Sequence, residues 1–452
     1  MPDQSMVPQP VLNREAELDL LETHVAEALR LALKAGANDT EVNAHTSQGL
    51  SVTARLGEVE TLEHMQDRGI AVTVLIGKRK GHASSAELTA DSINSCVQHA
   101  IDIARFTQDD KANGLAEQTL MATEFPDLDL WHPVNMDASA AIDRVLACEA
   151  AGRENSQVSN SEGASFNAGL GLGVYGNSNG FIGRSGGTRY SQSCILLAGE
   201  GDRMQRDYSY DSRRCFDDLE APEVTGKEAA CRTVRRLGSS QLQTAEMPVL
   251  FAPEVAQGLI GHLVGAISGS ALYRNASFLK DAVDERLFPE WLNLQERPLL
   301  KRGAGSASFD SDGVATRQRL IIDQGILTGY VLSSYSARRL DLETTANAGG
   351  VRNLLLLPGG GNDDLVREMG QGFLVTEVMG QGVNLVTGDY SRGASGFLVE
   401  NGKCTMPIDG VTIAGNLRDM FLNIVATGQD VDTRGNIQTG SVLIGKMMVA
   451  GA

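Results

Sequence analysis

Gly69-Ile70-Ala71-Val72-Thr73-Val74-Leu75-Ile76 is a nearly continuous apolar run, and Gly77 closes it. A short run of this kind, rich in β-branched residues and bounded by glycine, reads as a strand buried on both faces. Upstream, Glu41–Thr46, Leu50–Leu56 and Glu58–Met65 alternate imperfectly between apolar and polar, with Gly49 and Gly57 between them, and read as further strands. Gly81–Ser85 is a short strand placed to pair with the central run. On either side the period changes. Leu18, Leu21, Val25, Leu29, Ala32 and Leu33 recur at helical spacing from Arg14 to Lys34, a helix ended by Gly36. Ile93, Val97, Ala100 and Ile103 do the same from Ala90 to Phe106. Helix, strand meander, helix predicts an α+β fold.

Farther along, residues 107–135 are mixed and polar, with Pro126 and Pro133, and read as a connecting region. Ser139–Ala151 is a helix, Glu162–Glu200 reads as strands with tight turns, and Ala221–Leu237 is a helix with Pro222 at its start. From Met247 the texture shifts. Val249–Phe251 is a short strand, and Pro253 opens an apolar helix through Ala266. Strands then dominate: Thr316–Ile322, Ile326–Leu332, Gly372–Met379, Gly382–Thr387, Tyr390–Glu400, Thr405–Ile408 and Val411–Ala414. The expected plan is a disordered tail over 1–12, an N-terminal α+β domain over 13–245, and a β-rich C-terminal domain over 246–452 with one central helix.

A formal net charge of −18 repels phosphate backbones, so no nucleic-acid partner is expected. The densest basic run, Lys78-Arg79-Lys80, reads as a solvated strand edge. No apolar run approaches the length of a membrane helix, and the polar start with Pro2, Pro8 and Pro10 lacks the pattern of an export signal. Cys96, Cys148, Cys194, Cys215, Cys231 and Cys404 are scattered, without a CxxC pair, and read as reduced thiols. These observations point to the cytoplasm.

The motifs are chiefly negative. His24, His45, His64, His82, His99, His132 and His262 include no pair at the spacing that brings two imidazoles to one metal, and there is no HExxH. Gly171–Gly176 matches GxGxxG, yet Asn177-Ser178-Asn179-Gly180 follows it, a turn where a dinucleotide site needs a helix. Gly183-Arg184-Ser185-Gly186-Gly187 matches GxSxG but reads as a turn between strands, and Ser277-x-x-Lys280 lacks its supporting motifs. His262, alone beyond residue 132, lies in the apolar helix. It reads either as a buried histidine bonded to a carbonyl or as a residue lining a peptide cleft.

The stretch from Gln257 to Gly269 around His262 resembles the central helix of the PmbA/TldD family, also called modulators of DNA gyrase. The resemblance continues through Ala271–Leu279, Gly313–Thr316, Ile326–Tyr330, Asn347-Ala348-Gly349-Gly350-Val351-Arg352-Asn353, Asp389–Gly396 and Phe397–Lys403, with Arg68–Ser85 in the first domain. The TldD branch carries His-Glu-x-x-x-His on this helix, the histidines holding zinc and the glutamate acting as base. Here either Gln257 and Gly258, or Leu263 and Ile267, replace the missing partners of His262. The cysteine ligand of that branch also has no counterpart, since Cys404 stands in another motif.

The resemblance, to the PmbA (TldE) branch, implies a subunit of a zinc peptidase assembly without catalytic or metal-binding residues of its own. A TldD-like partner would supply the zinc. Unfolded peptides, such as microcin precursors and antitoxins, would be the substrates. Candidate cleft residues are His262, Gln257, Asn353, Asp389 and Ser391. The alternative is a standalone homodimeric peptide-binding or regulatory protein.

Overall fold

In a computed structural model, described over residues 12–451, the apolar run 69–76 is the second half of a longer strand. Strands β1 (Asp39–Arg55) and β2 (Glu58–Ile76) form one long antiparallel hairpin. The hairpin turns at Leu56 and Gly57, both at positive φ. Gly49 is not a break between strands: it continues the ladder, opposite Met65 on one side and Gly169 on the other. Adding β3 (Arg79–Ser85), β4 (Val158–Asn177), β5 (Ile182–Ala198) and β6 (Gln205–Arg213) gives a six-stranded antiparallel sheet, in the order β3-β2-β1-β4-β5-β6. The expected tail lies, but for Leu12, outside the described residues.

Helices α1 (Arg14–Lys34), α2 (Ala90–Phe106), α3 (Ala138–Arg153) and α4 (Pro222–Val234) cover one face of this sheet. Asn13, Thr89 and Asp137 cap the first three through their side chains. Leu18, Leu21 and Val25 of α1 and Val97 and Ile101 of α2 share a core with Val42, Ala44, Val72 and Val74. Val145, Cys148 and Ala229 from α3 and α4 share a second core with Val52, Ala54 and Phe166. The alternate residues of β1, among them Asn43, His45, Ser47 and Ser51, therefore point to the face without these helices.

The two nucleophile and nucleotide patterns of this region dissolve into strands. Gly171–Gly176 runs along β4 with its turn at Asn177–Gly180, as expected. Gly183–Gly187 is not a turn but extended β5 backbone, register-paired with residues 171–175, which rules out a nucleophile elbow.

The second half runs β7 (Ala245–Phe251), α5 (Pro253–Ala266), α6 (Gly269–Tyr273), β8 (Leu294–Glu296), β9 (Arg319–Asp323), β10 (Ile326–Leu327), α7 (Ser334–Leu340), β11 (Leu354–Leu356), α8 (Leu365–Met369), β12 (Gly372–Met379), β13 (Asp389–Glu400), β14 (Lys403–Asn416), α9 (Leu417–Leu422), β15 (Ile424–Thr427), β16 (Ile437–Gln438) and β17 (Val442–Ala450). One sheet has the order β14-β13-β12-β7-β17-β15, and β17 also pairs with β14, so five of its strands close on themselves. A smaller sheet, β10-β9-β8-β11-β16, lies beside it. Leu259, Ile260 and Leu263 bury α5 in a core with Val249, Phe251, Phe373 and Val375. The molecule is α+β throughout.

Several expected strands are shorter. Gly382–Thr387 is a loop with a single bridge from Val383 to Tyr390, because Asn384 closes a turn onto Asp389 and Gly388. At the ends of the expected strands Thr316–Ile322 and Ile326–Leu332, Thr316 bonds outward to Ser308 and Val331 to Ile267, and only β9 and β10 form regular ladder. Thr405–Ile408 and Val411–Ala414 are one strand, β14, whose register shifts opposite Gly396.

Candidate functional site

Helix α5 begins at Pro253 in its first turn, a position that needs no N–H partner. Next to it, Glu254 accepts from Arg232 of α4 at 2.7 Å and from Arg434 at 2.9 Å. Arg434 also donates to both oxygens of Asp432 at 2.8 Å, donates to the Tyr210 carbonyl at 2.7 Å, and lies 4.0 Å from the Tyr210 ring centroid. Gln257 completes this junction by donating to Asp432 at 2.9 Å. The candidate Gln257 therefore works in fastening α5 to α4 and β6 across the two halves.

Five residues on, His262 is half-buried and meets the Tyr390 ring edge-on, centroids 6.0 Å apart. Burial first, and then the positive charge of Arg392, hold its imidazole below the ordinary histidine range, so the ring is neutral near pH 7. Among the described residues it has no hydrogen-bond partner, and the expected carbonyl bond is not formed. Alternation along β13 turns Tyr390 and Arg392 toward His262 and puts the candidates Asp389 and Ser391 on the opposite, exposed face. There Asp389 accepts from Thr387 at 2.7 Å, and the Ser391 amide donates to Gly382 at 2.6 Å. The proposed cleft set is thus divided between two faces.

Asn353 does not line a cleft. It is fully buried at positive φ, accepts from Gly305 N–H at 2.8 Å, and donates to Arg297 at 2.9 Å and Ser306 at 2.7 Å. Its polar atoms brace a turn. Ser277 and Lys280 are also engaged apart, Ser277 accepting from Leu279 N–H and Lys280 donating to Asn275.

Zinc needs three or more nitrogen, sulfur or carboxylate donors around one point. Among the described residues no such group of three His, Cys, Asp or Glu exists. The surroundings of His262 do not fit a cation, since its neighbours are a phenol ring and the positive Arg392.

A large concavity lies elsewhere. A groove of about 1380 Å³ runs between β1 (residues 43–47), β4 (171–175), β5 (182–187), the connecting segment 125–131, and a wall of residues 306–311 with Arg352. Strand β6 pairs with β5 only from Tyr190 onward. Thr188 turns its N–H outward to Leu130 at 2.9 Å and its carbonyl outward to Arg214 at 3.2 Å. By strand parity, Ile182, Arg184 and Gly186 present their backbone groups in the same direction. Their outward amides have no partner strand among the described residues, so a bare β-edge faces the groove. Phe309 packs against Phe181 at 5.4 Å and Phe125 at 6.1 Å, giving one end an aromatic lining. Also in the groove, Asp310 is pushed up to about 6, by burial and then by the Asp312 charge, against three backbone N–H donors. The sequence marks 171–187 as Gly-rich strands and goes no further. Which strand edge stays bare depends on the length of β6, which no local pattern encodes.

Known proteins share this fold. Models described as PmbA/TldA metallopeptidase domain 1, central domain and C-terminal domain match residues 40–104, 131–237 and 244–451. The metalloprotease PmbA of Escherichia coli O157:H7 is 46% identical over 440 residues, covering 97% of each chain. A crystal structure described as a modulator of DNA gyrase from Bacteroides thetaiotaomicron is similar with a TM-score of 0.90 at 28% identity, covering 95% of this chain and 99% of that one. TldE from Thermococcus kodakarensis shares the fold, with a TM-score of 0.83 at 19% identity over 95% of this chain and 100% of that chain. With every region of the sheet, the central helix and the β-rich half matched in order, the chain belongs to the PmbA/TldD metallopeptidase family.

Proposed function

We propose that this chain is the chamber-forming subunit of a TldD/TldE-type protease, working in the cytoplasm on unfolded peptides while a TldD-like partner supplies the zinc. The observation that carries this reading is the bare β5 edge inside a groove large enough for an extended peptide. Strand addition to such an edge uses main-chain hydrogen bonds, so it accepts peptides of many sequences but not folded domains. The division of labour is supported by the donor-poor surroundings of His262.

The test is reconstitution. Purified chain, its TldD-like partner, and the mixture are assayed for zinc and for cleavage of an unstructured peptide. The expected result is zinc in the partner alone and fast cleavage only in the mixture. Near-stoichiometric zinc in this chain, or equal cleavage with and without it, would overturn the proposal. Peptide binding by a homodimer that never associates with the partner would favour the standalone reading.

A further inference from the structure

The turn Asn347–Asn353 holds its backbone firmly on both sides of one arginine. Arg352 N–H donates to Glu296 at 2.8 Å, and its carbonyl accepts from Arg297 N–H at 3.2 Å. Asn347 donates to the same carboxylate at 2.7 Å, and buried Asn353 locks the other flank. Yet the guanidinium of Arg352, which lines the groove, has no hydrogen bond and no ion pair among the described residues, and its Nε is buried without a partner. The two carboxylates that act on it are engaged elsewhere. Glu296 is bonded by Arg319 at 2.9 Å, and Asp310 accepts three backbone N–H groups. On the same groove, Arg214 uses both terminal nitrogens on the Thr188 and Ala304 carbonyls, and its Nε is likewise buried and unpartnered.

A cation with a buried Nε is costly to leave without a hydrogen-bonded partner, and the carboxylates near Arg352 are already bonded to other donors. The planar guanidinium fork matches a carboxylate through two parallel bonds. We infer that Arg352 is the receptor in the groove for a carboxylate of the bound peptide, either its C-terminus or an acidic side chain. The inference rests on the peptide-chamber reading and adds a polarity to it. Strand addition alone is indifferent to sequence, whereas an anchored carboxylate fixes where along the β5 edge the peptide sits.

The experiment measures binding of labelled unstructured peptides to the full chain, alone and with its TldD-like partner. Four peptides are compared: acidic with a free C-terminus, the same with an amidated C-terminus, the same with Glu replaced by Gln, and one with both changes. Loss of the recognised carboxylate should weaken binding roughly 10- to 100-fold, the range for hydrogen bonds to a charged group. The single change that causes the loss identifies the source. Arg352→Met should remove the preference and leave the weak binding of the doubly changed peptide intact, and Arg352→Lys should restore only part of it. Should all four peptides bind wild type equally, the carboxylate receptor falls while the chamber reading stands. The receptor also falls, and the chamber again stands, if Arg352→Met impairs only assembly with the partner. If no peptide binds in either form, the chamber reading falls and the receptor with it.

Discussion

Arg434 and Arg352 both lie largely out of solvent, and they differ in what their guanidinium groups meet. Arg434 is bonded to Glu254, Asp432 and the Tyr210 carbonyl, with the Tyr210 ring beneath it. The Arg352 guanidinium is bonded to nothing among the described residues. The first belongs to a junction between the two halves of the chain, complete in the free protein. The second belongs to a groove wall that is complete only with a ligand. A buried charge with all its partners present marks structure, and one without them marks a site.

The most forceful way to break the comparison is to cut the junction. Arg434→Met leaves Glu254 with Arg232 and leaves Asp432 buried with only neutral donors, the Gln257 amide and the backbone N–H of position 434. Unfolding in urea should report a loss of about 3–5 kcal/mol, the usual result of removing one member of a buried ion pair. A loss below about 1 kcal/mol would mean that the junction is no more than a surface contact.

The two regions should also answer pH with opposite signs. Burial would raise Glu254 and Asp432, but the bonds and charges of Arg232 and Arg434 on Glu254, and of Arg434 on Asp432, hold both below their ordinary values. Their contribution is present above the unfolded-state values and is lost as pH falls through the depressed ones. Asp310 is raised to about 6 from an ordinary 3.8. The folded chain takes up that proton first, so stability from this group should rise as pH falls from 7 through 6 toward 4, by about 3 kcal/mol in total. Asp310→Asn should flatten the rise in unfolding free energy between pH 7 and pH 5. An unchanged slope would place the titration on another group.

The smallest effect is the sharpest contrast. Arg352→Met removes no hydrogen bond from the free chain and takes away an unpartnered charge, so its unfolding free energy should not fall more than about 0.5 kcal/mol below wild type. A loss comparable to that of Arg434→Met would show that Arg352 is structural, and the contrast between the regions would collapse.

Much of the architecture was legible because burial leaves a period. The helix at 14–34 and the strand ending at 69–76 follow from apolar spacing, and Pro253 marks the start of α5. Boundaries failed where long-range pairing overrode local punctuation. Gly49 reads as a break but sits between two partner strands, and Gly382–Thr387 has strand composition but loops because Asn384 bonds locally. The candidate set fared unevenly for a similar reason. His262 and Gln257 share a helix, yet one faces Tyr390 and the other Asp432, and Asn353 turned inward to brace its own turn.

By itself, the sequence determined the α+β plan, the absence of paired histidines on the central helix, and the family resemblance, because periodicity, residue identity and motif order are properties of a linear chain. Only the tertiary structure decided that β6 stops short of the β5 edge, that the wall at 306–311 faces it, and that Arg352 is left unpaired there. Each of these depends on which distant groups arrive first at a given backbone or side-chain partner, and that competition is resolved in three dimensions.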